Sequence, residues 1–490
     1  MVTIIGGGLA GTEAAWQVVA RGVPVTLHEM RPLRPTLVHK TDGLAELVCS
    51  NSFRGDALEN AVGLLKEEMR RLGSIVMRAA DASRVPAGAA LAVDRVRFSA
   101  IVTEAITSHP LITVVRGEIA EIPAAGLGPT IVATGPLTSD ALSADIVRFV
   151  GAEHLSFFDA ISPIVASESI DRTKVFRQSR WDRSFAGAGG GRRAAGSEEP
   201  TATGADDRRA DKDACGVDDG QGDYLNCPMT KEEYGRFYDA LVAAESATVH
   251  DFDRATFFEG CLPIEVMAHR GRDTLRFGPM KPVGLTDPRT GRRPYAVVQL
   301  RQDTLAGDHW SLVGFQTQIA WGDQARVLRL IPGLEQAEFV RLGMVHRNTY
   351  INGPTVLRDT WQSRVRDDLF FAGQVSGVEG YVESAASGLI AGRNAASLAL
   401  GEPPATPPRT TAIGALAHYV SHAEAKHYQP SNITFGIIAP LEDEPGGRPL
   451  KGTDRRRAIS DRALAHLADW LTDRTVASVP DVAELTGARG

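Results

Sequence analysis

A glycine-rich turn near the start of the sequence constrains the fold more than any other feature. A Gly-Gly-Gly-Leu-Ala-Gly run begins at Gly6, directly after the apolar stretch Val2–Ile5 and at the start of a helix-like segment. A G-x-G-x-x-G motif between a strand and a helix is typical of dinucleotide-binding βαβ units. In such a unit Gly6 permits the tight turn, Gly8 lets the backbone approach a pyrophosphate, and Gly11 lets the helix pack closely on the strand.

An acidic residue after the next predicted strand supports a bound dinucleotide. The stretch Pro24–His28 predicts a second strand, and Glu29 follows it. A carboxylate at this place can accept hydrogen bonds from a ribose diol, and its charge disfavours a 2′-phosphate. The alternative is a glycine-rich turn without a ligand, which the strand–turn–helix context disfavours.

Two further segments favour FAD over NAD as the bound dinucleotide. The stretch Ile131–Pro136 resembles the strand end of two-dinucleotide-fold flavoproteins, with Thr134 and Gly135 as candidate contacts. The stretch Phe370–Tyr381 resembles their second FAD motif, in which a strand and a helix N-terminus meet the flavin and the ribityl chain. The candidates in this motif are Gly373, Gln374, Gly377 and Gly380. The alternative for the second segment is an ordinary strand, turn and helix.

The composition excludes several classes of protein. The 490 residues include 53 basic and 60 acidic ones, and the formal net charge of −7 gives no global signature of nucleic-acid binding. No apolar run reaches the roughly 18 residues that a membrane helix needs, so no membrane association is expected. Four cysteines without a C-x-x-C pair argue against a disulfide scaffold and a zinc site, and no metal is predicted. Without a secretory signal, the chain is expected to be cytoplasmic.

Changes in element pattern along the chain predict its organisation. The strands and helices that follow the glycine-rich turn predict a first domain that runs to about residue 150. Residues 184–222 are rich in Gly, Ala, Asp and Arg and include Cys215. Such a stretch buries too little apolar surface to fold, so a disordered insert is predicted.

Two cysteines are candidates for catalysis. Cys49 lies in a polar loop without a second cysteine nearby, which argues against a flavin-dependent disulfide oxidoreductase. Cys227 precedes a predicted helix at Thr230–Glu245, whose dipole can lower the pKa of the thiol. A lone cysteine is more often a small buried side chain, so spacing alone leaves both interpretations open. Cys261 lies among apolar residues and is expected to serve packing.

Longer motifs elsewhere in the chain resemble one protein family. The motifs are Cys49-Ser-Asn-Ser-Phe-Arg, Asp223-Tyr-Leu-Asn-Cys-Pro-Met, Phe258-Glu-Gly-Cys-Leu-Pro-Ile-Glu, Leu275-Arg-Phe-Gly-Pro-Met-Lys-Pro-Val-Gly, His346-Arg-Asn-Thr and Gly373-Gln-Val-Ser-Gly-Val-Glu-Gly-Tyr. Through them the chain resembles the folate- and FAD-dependent tRNA (uracil-5-)-methyltransferase family, TrmFO, once called Gid, over residues 2–183 and 223–470. Two features depart from the family pattern, namely the stretch 184–222 and Ser431, where a Met is expected.

The resemblance implies a fold and a reaction. The fold is α/β, with a Rossmann-like two-dinucleotide-binding FAD domain of the GidA-like flavoprotein type, interrupted by a smaller α+β insertion domain. The expected segments are 1–150 for the first part of the FAD domain, 151–324 for the insertion domain, 325–442 for the second part and 443–490 for a C-terminal helical tail. In the reaction, a methylene group passes from 5,10-methylenetetrahydrofolate through flavin N5 to C5 of uridine 54 in the T-loop of tRNA. NADH or NADPH supplies the electrons, and 5-methyluridine is the product. No stable protein partner is predicted.

The resemblance also implies roles for individual residues. Uracil C5 is a poor nucleophile, and a thiolate that adds to C6 makes C5 enolate-like, after which a base removes the C5 proton. Cys227 matches the position of the nucleophile, and Cys49 matches the second cysteine, which is expected to act as the base. His346 matches a position that stacks on the folate pterin. Arg347 is expected to bind an anionic group of folate or RNA, as is Lys281.

Two segments with a local excess of positive charge form the predicted tRNA footprint. Residues 266–301 contain eight basic and two acidic residues, and residues 171–184 contain five basic and two acidic ones. Phosphate contacts supply much of the affinity of a protein for nucleic acid, which favours these segments. The candidates named from them are Arg276, Lys281, Arg177 and Arg180. The alternative is an ordinary solvated surface.

Three other functions stay open on the sequence. One is a related flavoprotein that modifies wobble uridine together with a GTPase, although such chains are longer. The second is a non-catalytic FAD-containing RNA-binding or chaperone protein, in which the insert has disabled the site. The third is a generic NAD(P)H flavin oxidoreductase, which would turn over without RNA.

Overall fold

The computed structural model describes residues 1–36, 38–151, 155–160, 162–182, 222–245, 262–343, 345–442 and 450–472, with the backbone alone at 155–160, 345–349 and 427. Most of the predicted insert 184–222 therefore lies outside the described residues, as do Cys215 and Cys261. Among the helices of the described part, none is long and apolar enough to cross a membrane.

The first 151 residues form an α/β unit around a parallel sheet. In chain order its elements are β1 (Val2–Ile5), α1 (Leu9–Val19), β2 (Val25–Glu29), β3 (Ser52–Gly55), α2 (Ala61–Arg71), α3 (Ile75–Ala82), β4 (Arg84–Val85), β5 (Ala90–Val93), α4 (Arg95–Thr107), β6 (Ile112–Arg116), β7 (Thr130–Val132) and α5 (Asp140–Val150). Strands β3, β5 and β4 pair antiparallel as a small separate sheet.

The middle of the chain adds mainly antiparallel strands. Its elements are β8 (Leu155–Ala160), β9 (Ile164–Ala166), β10 (Phe176–Arg177), β11 (Tyr224–Met229), α6 (Lys231–Val242), α7 (Ile264–His269), α8 (Thr274–Phe277), β12 (Ala296–Gln302), β13 (His309–Leu312), α9 (Trp321–Leu328) and β14 (Phe339–Arg341). The last part contains β15 (Val345–Tyr350), α10 (Gly353–Val356), β16 (Leu369–Phe371), α11 (Tyr381–Ala399), α12 (Ala412–His422) and α13 (Gly452–Thr472).

Five strands from the two ends of the chain form one parallel sheet. They pair in the order β16-β7-β1-β2-β6, and every pairing is parallel. The central strands are short and apolar, and β7 and β16 are buried along their whole length, as expected of a sheet covered on both faces. Because β16 comes from the last part of the chain, the sheet joins the two segments that the sequence assigns to FAD binding. The exact domain boundaries stay a prediction.

Helices α1 and α11 lie in close contact on this sheet. A Cβ atom at Gly388 would lie 2.1 Å from the backbone oxygen of Ala10, and one at Gly392 would lie 2.5 Å from that of Ala14. Glycine alone leaves room at these two points of α11, which explains the small residues of this segment. The contact holds the first turn of α11 beside the turn between β1 and α1.

The antiparallel strands form a second sheet with a core of its own. Its order is β10-β11-β12-β13-β9-β14. Apolar side chains from Val165 to Ala337 pack there into one cluster, to which α6, α7 and α9 contribute. Strands β8 and β15 pair with each other as an antiparallel ribbon, at the two points where the chain passes between the sheets. The second sheet therefore has a hydrophobic core separate from that of the parallel sheet, and the predicted insertion domain stays a prediction.

A buried carboxylate on α1 makes the first core sensitive to pH. Glu13 has no exposed surface. It accepts hydrogen bonds from Ser74 Oγ at 2.6 Å, from the Val76 amide at 3.0 Å and from Gln17 Nε2 at 3.0 Å. Burial penalises the charged form more than these hydrogen bonds favour it, so the pKa of Glu13 is raised to about 7. The folded protein therefore keeps a proton on Glu13 at pH values where the unfolded chain has lost it.

We predict that Glu13→Gln removes part of the pH dependence of stability. Because the folded-state pKa lies above the unfolded one, Glu13 stabilises the fold below pH 4.5, and this contribution is lost as the pH rises through about 7. The loss amounts to roughly 3 kcal/mol, since one pKa unit corresponds to about 1.4 kcal/mol. Glutamine has the same shape and no charge, so urea unfolding between about pH 5 and pH 8 should show a smaller loss in the variant.

The matched control is Glu402→Gln, which alters a half-exposed carboxylate. Burial also raises the pKa of Glu68, to about 8, but this group titrates alike in the wild type and in both variants. The difference between Glu13→Gln and the wild type therefore isolates Glu13. Equal pH dependence in these two proteins would contradict the prediction.

Candidate functional site

The glycine-rich turn opens into a cleft at the carboxyl ends of the parallel strands. The cleft has an empty volume of about 1030 Å³. The predicted cofactor contacts that line it are Gly6, Gly8, Glu29, Thr134, Gly135, Gly373 and Gln374. These residues come from both ends of the chain, so the structure brings the predicted dinucleotide motifs together in one place.

Gly8 and Gly11 of the first motif are required for different reasons. A Cβ at Gly11 would lie 1.8 Å from the backbone oxygen of Gly6, so the packing of α1 on the turn requires glycine there. A Cβ at Gly8 would meet no heavy atom within 4 Å, yet Gly8 lines the cleft and precedes α1, whose first turn has no side-chain cap. Open space beside the uncapped amides of a helix N-terminus suits a pyrophosphate, so the residues present fit FAD.

Glu29 is held in the wall of this cleft by the protein itself. Its Oε2 accepts a hydrogen bond from the Gly7 amide at 2.9 Å, and its Oε1 accepts from the Arg31 amide at 3.0 Å and from Arg31 Nε at 2.9 Å. Burial opposes the charge, but the hydrogen bonds and charge of Arg31 outweigh it and lower the pKa of Glu29. The carboxylate is therefore ionised, and it retains lone pairs for a ribose diol. Sequence reasoning missed Arg31, which also donates to Glu46 at 3.1 Å.

A second cleft adjoins the first and carries one of the predicted cysteines. It has an empty volume of about 1250 Å³, and Cys49 and Gly380 line it. On its other side, β12 and β13 of the second sheet contribute Arg301 and Ser311. The residues that line both clefts are Val48, Pro136, Gln374, Tyr381 and Ser384. The second cleft therefore lies between the two sheets and opens onto the dinucleotide cleft.

Tyr381, at the start of α11, fixes the loop that carries Cys49. Its hydroxyl oxygen accepts hydrogen bonds from the backbone amides of Cys49 at 2.7 Å and Ser50 at 3.0 Å. Burial raises the pKa of Tyr381, so the hydroxyl stays protonated. Cys49 is partly exposed and lines the second cleft, where a substrate can reach its thiol.

The second predicted FAD motif contributes to both clefts, but one of its glycines lies elsewhere. Gln374 Nε2 donates to Glu379 Oε2 at 2.6 Å, which orients a side chain that both clefts share. Gly377 lines neither cleft; its φ is 90°, and a Cβ there would lie 2.1 Å from the Tyr428 hydroxyl oxygen. Packing against Tyr428 explains this glycine, and the structure gives it no contact with the cofactor cleft.

Three arginines line the second cleft, and one of them, Arg301, lies in a segment that the sequence predicted to bind tRNA. They are Arg54, Arg95 and Arg301. Arg301 is buried, and it donates through Nε to Asn51 Oδ1 at 2.8 Å and through Nη2 to Ser50 Oγ at 2.8 Å. The sequence carried two signals, since Arg54 ends the Cys-Ser-Asn-Ser-Phe-Arg motif and Arg301 ends the basic segment 266–301, whereas Arg95 had none. The cleft is thus more basic than its local sequences indicate.

The structure corrects the chemical environment expected for Cys227. This residue lies in the middle of β11, opposite Val298 of β12, with no exposed surface, and it lines neither cleft. Burial raises the pKa of its thiol strongly, and the charges of Arg172 and Arg289 lower it only in part. The expectation of a thiol activated by a helix dipole is therefore wrong, because the side chain packs into the second core.

The four named tRNA-binding candidates lie in the second sheet and the segments around it, and none of these four lines either cleft. Arg177 and Arg276 each lie over an aromatic ring, at 5.5 Å and 3.6 Å from the ring centroid. Arg180 donates to the Val283 carbonyl oxygen at 2.8 Å, and Lys281 is exposed. These residues can face RNA only from outside the clefts.

Strand β15 carries the two remaining candidates, His346 and Arg347. In its pairing with β8 they stand opposite Asp159 and Phe158. Their side chains lie outside the described residues, so their predicted contacts with folate stay a prediction.

We predict that Gly8→Ala and Gly11→Ala fail in different ways. A methyl group at position 8 stands in open space within the cleft, so the FAD-free protein should unfold at the wild-type temperature while FAD binding weakens about tenfold or more. A methyl group at position 11 meets the Gly6 carbonyl, so that variant should lose stability with or without FAD. Thermal melts and flavin absorbance measure both effects. Full FAD content in Gly8→Ala would contradict the assignment of this cleft.

Comparison with known proteins identifies the family of this chain. The family model "Glucose inhibited division protein A" matches residues 1–188 and 208–403. The methylenetetrahydrofolate–tRNA-(uracil-5-)-methyltransferase TrmFO of Desulforudis audaxviator is 56% identical over 473 residues, which cover 96% of this chain and 98% of that protein. The protein of the same name from Geobacter sulfurreducens is 54% identical over 470 residues, covering 96% and 98%.

A solved structure extends the agreement to the fold. GidA of Aquifex aeolicus, in its form II crystal, superposes with a TM-score of 0.64 at 16% identity and covers 97% of this chain and 74% of its own. The predicted GidA-like flavoprotein fold is confirmed by this likeness. The sequence identities and the family model together show that the chain belongs to the GidA family and, within it, to the TrmFO methylenetetrahydrofolate–tRNA-(uracil-5-)-methyltransferases.

Proposed function

We propose that this chain transfers the one-carbon unit of 5,10-methylenetetrahydrofolate to C5 of a tRNA uracil, with FAD as bound cofactor and NADH or NADPH as reductant. The target is uridine 54 of the T-loop, and the setting is the cytoplasm. The observation that carries the proposal is the junction of the two clefts, where Cys49 lies on a loop fixed by Tyr381. The names of relatives with more than half their residues identical support the same reaction.

The first cleft has the parts that hold a flavin dinucleotide. The uncapped N-terminus of α1 and the open space at Gly8 would receive the pyrophosphate, and Glu29 would accept from the ribose. When bound, FAD supplies the path by which the one-carbon unit and two electrons reach the uracil. For each uracil methylated, one methylenetetrahydrofolate becomes tetrahydrofolate and one NAD(P)H is oxidised, which balances the reduction of methylene to methyl.

The two cysteines divide the covalent chemistry in this proposal. A thiolate bonds to uracil C6, the C5 proton passes to a base, and the thiolate leaves again when the C5–C6 double bond re-forms. We assign the addition to Cys227 and the proton removal to Cys49. The geometry supports Cys49 directly, because it lines the cleft. The role of Cys227 requires that β11 and its neighbours open, since the thiol has no exposed surface and a raised pKa.

The basic segments remain the proposed tRNA contacts. Arg276 and Lys281 lie around α8, and Arg177 and Arg180 lie around β10, all outside the clefts. Phosphate contacts there would position the RNA while one base enters the second cleft. His346 and Arg347 are kept as proposed folate contacts.

We predict that the purified FAD-loaded protein forms 5-methyluridine in unmodified tRNA transcript only with methylenetetrahydrofolate and NAD(P)H. Nucleoside mass spectrometry measures the product, and a parallel reaction with S-adenosylmethionine is the control. A transcript whose T-loop uridine is replaced by cytidine should gain no methyl group. Flavin reduction with no methylated product in a well-folded sample would instead favour an NAD(P)H flavin oxidoreductase or an RNA-binding protein.

We predict that Cys227→Ala forms no covalent adduct with a T-loop RNA that contains 5-fluorouridine, whereas Cys49→Ala forms one and does not complete the reaction. Denaturing gels detect the adduct, and tRNA methylation measures turnover. The matched control is Val298→Ala, which removes volume from the same core opposite Cys227 but leaves its thiol. The opposite result, with an adduct in Cys227→Ala and none in Cys49→Ala, would assign the addition to uracil C6 to Cys49, which lines the second cleft.

A further inference from the structure

Arg54, in strand β3, has a backbone conformation that is unusual for its residue type. Its φ is 62°, in the left-handed region that glycine favours. A non-glycine residue persists there when the surrounding structure holds it, and such residues cluster at functional sites. The neighbouring side chain of Phe53 is buried, whereas the side chain of Arg54 is 38% exposed and lines the second cleft.

The backbone at Arg54 is held by a buried lysine from α2. Lys66 has no exposed surface, and its Nζ donates to the carbonyl oxygens of Phe53 at 3.0 Å, Arg54 at 3.2 Å and Gly55 at 2.9 Å. These three bonds use all the donors of the ammonium group. A buried charge is unfavourable unless it is paired, and Asp56 Oδ1 lies 3.4 Å from Nζ. The ammonium group therefore holds three consecutive residues of this short strand.

The guanidinium of Arg54 is held by a buried carboxylate from α11. The side chain of Glu383 has no exposed surface, and its Oε1 accepts from Arg54 Nη2 and from the Ile433 amide, the latter at 2.9 Å. Glu383 lies in the first turn of α11, between Tyr381 and Ser384, which line both clefts. Both the backbone and the side chain of Arg54 are thus fixed by buried charged groups.

Arg54 differs from the other two arginines of the cleft in its hydrogen bonds. Arg95 donates to Asp303 and to the Leu47 carbonyl oxygen, and Arg301 donates to Asn51 and Ser50. Among the described residues, the guanidinium of Arg54 donates to Glu383 alone, which leaves donors for a ligand. The charged side chains that line the cleft are Arg54, Arg95, Arg301 and Glu379, so its lining is net positive.

We propose that Arg54 binds an anionic oxygen group of a substrate in the second cleft, and that Lys66 and Glu383 are positioning residues that hold it there. A guanidinium presents a planar pair of donors that matches a phosphate or a carboxylate. The group has two possible sources, namely the phosphate of the uridine to be methylated and the carboxylate of the folate. The inference rests on the proposed function for the identity of these substrates.

The first test is Arg54→Ala in the full FAD-loaded protein. The KM of one substrate should rise about tenfold or more while flavin absorbance stays close to wild type, and the melting temperature should fall, because the buried carboxylate of Glu383 loses its partner. A higher KM for tRNA would identify the anion bound by Arg54 as the RNA phosphate, and a higher KM for methylenetetrahydrofolate would identify it as the folate carboxylate. Arg54→Lys keeps the charge but not the paired donors, and it should give an intermediate KM. The matched control is Arg358→Ala, which removes a half-exposed arginine that pairs with Asp367.

The second test separates positioning from simple stabilisation. Lys66→Met and Glu383→Gln should each raise the KM of the same substrate as Arg54→Ala, with a smaller effect on kcat. Combined with Arg54→Ala, neither should raise that KM further, because the residue through which they act is gone. If Lys66→Met does not fold, the double-mutant cycle of Arg54→Ala with Glu383→Gln is sufficient, since glutamine can still accept a hydrogen bond from the Ile433 amide.

The outcomes that overturn the inference are distinct from failure of the proposed function. Both KM values within about twofold of wild type in Arg54→Ala would remove its binding role. A lower melting temperature with unchanged KM in Lys66→Met and Glu383→Gln would make these residues merely structural. Should the wild type form no 5-methyluridine, the Kd of tRNA and of tetrahydrofolate for wild type and Arg54→Ala still tests the binding role directly, by filter binding and calorimetry.

Discussion

The close contact between α1 and α11 is the constraint on which both clefts depend. Backbone atoms of the two helices approach so closely at Gly388 and Gly392 that a side chain at either point would overlap the carbonyl of Ala10 or Ala14. This contact holds the first turn of α11 against the glycine-rich turn after β1. Tyr381 in that first turn then fixes the Cys49 loop. A dinucleotide cleft and a reaction cleft therefore meet because α11 has glycine where it crosses Ala10 and Ala14 of α1, a helix far from it in sequence.

Buried charges shape the walls of the clefts. Glu29 and Arg31 fix the turn beside the predicted ribose, and Lys66 and Glu383 fix Arg54 from two sides. Buried ion pairs add little net stability, because desolvation offsets their attraction. These ion pairs orient the side chains of the cleft walls, because hydrogen bonds between charged groups are directional and allow few other geometries.

The two cysteines show how burial decides the chemistry of one residue type. Cys49 lies on a loop that lines the second cleft, where solvent and substrate can reach a thiol. Cys227 lies within β11, and its pairing with β12 places the side chain in the second core. Thiolate formation is unfavourable in that core, so the role proposed for Cys227 depends on the second sheet opening to expose its thiol. Methylation and structural opening would then be linked in this chain.

The sequence by itself determined the parts of this protein that depend on local backbone geometry. The Gly6–Gly11 turn, Glu29 after β2 and Gly373 could be predicted, because dinucleotide binding requires particular residues at short spacing, whereas Gly380, predicted with them, lines only the second cleft. The family and its GidA-like fold followed from longer motifs of the same kind. Only the tertiary structure decided which arginines line the second cleft, that Gly377 packs on Tyr428 and that Cys227 is buried. These features depend on strand pairing and helix packing between segments that are distant in sequence. A local sequence pattern does not contain that information.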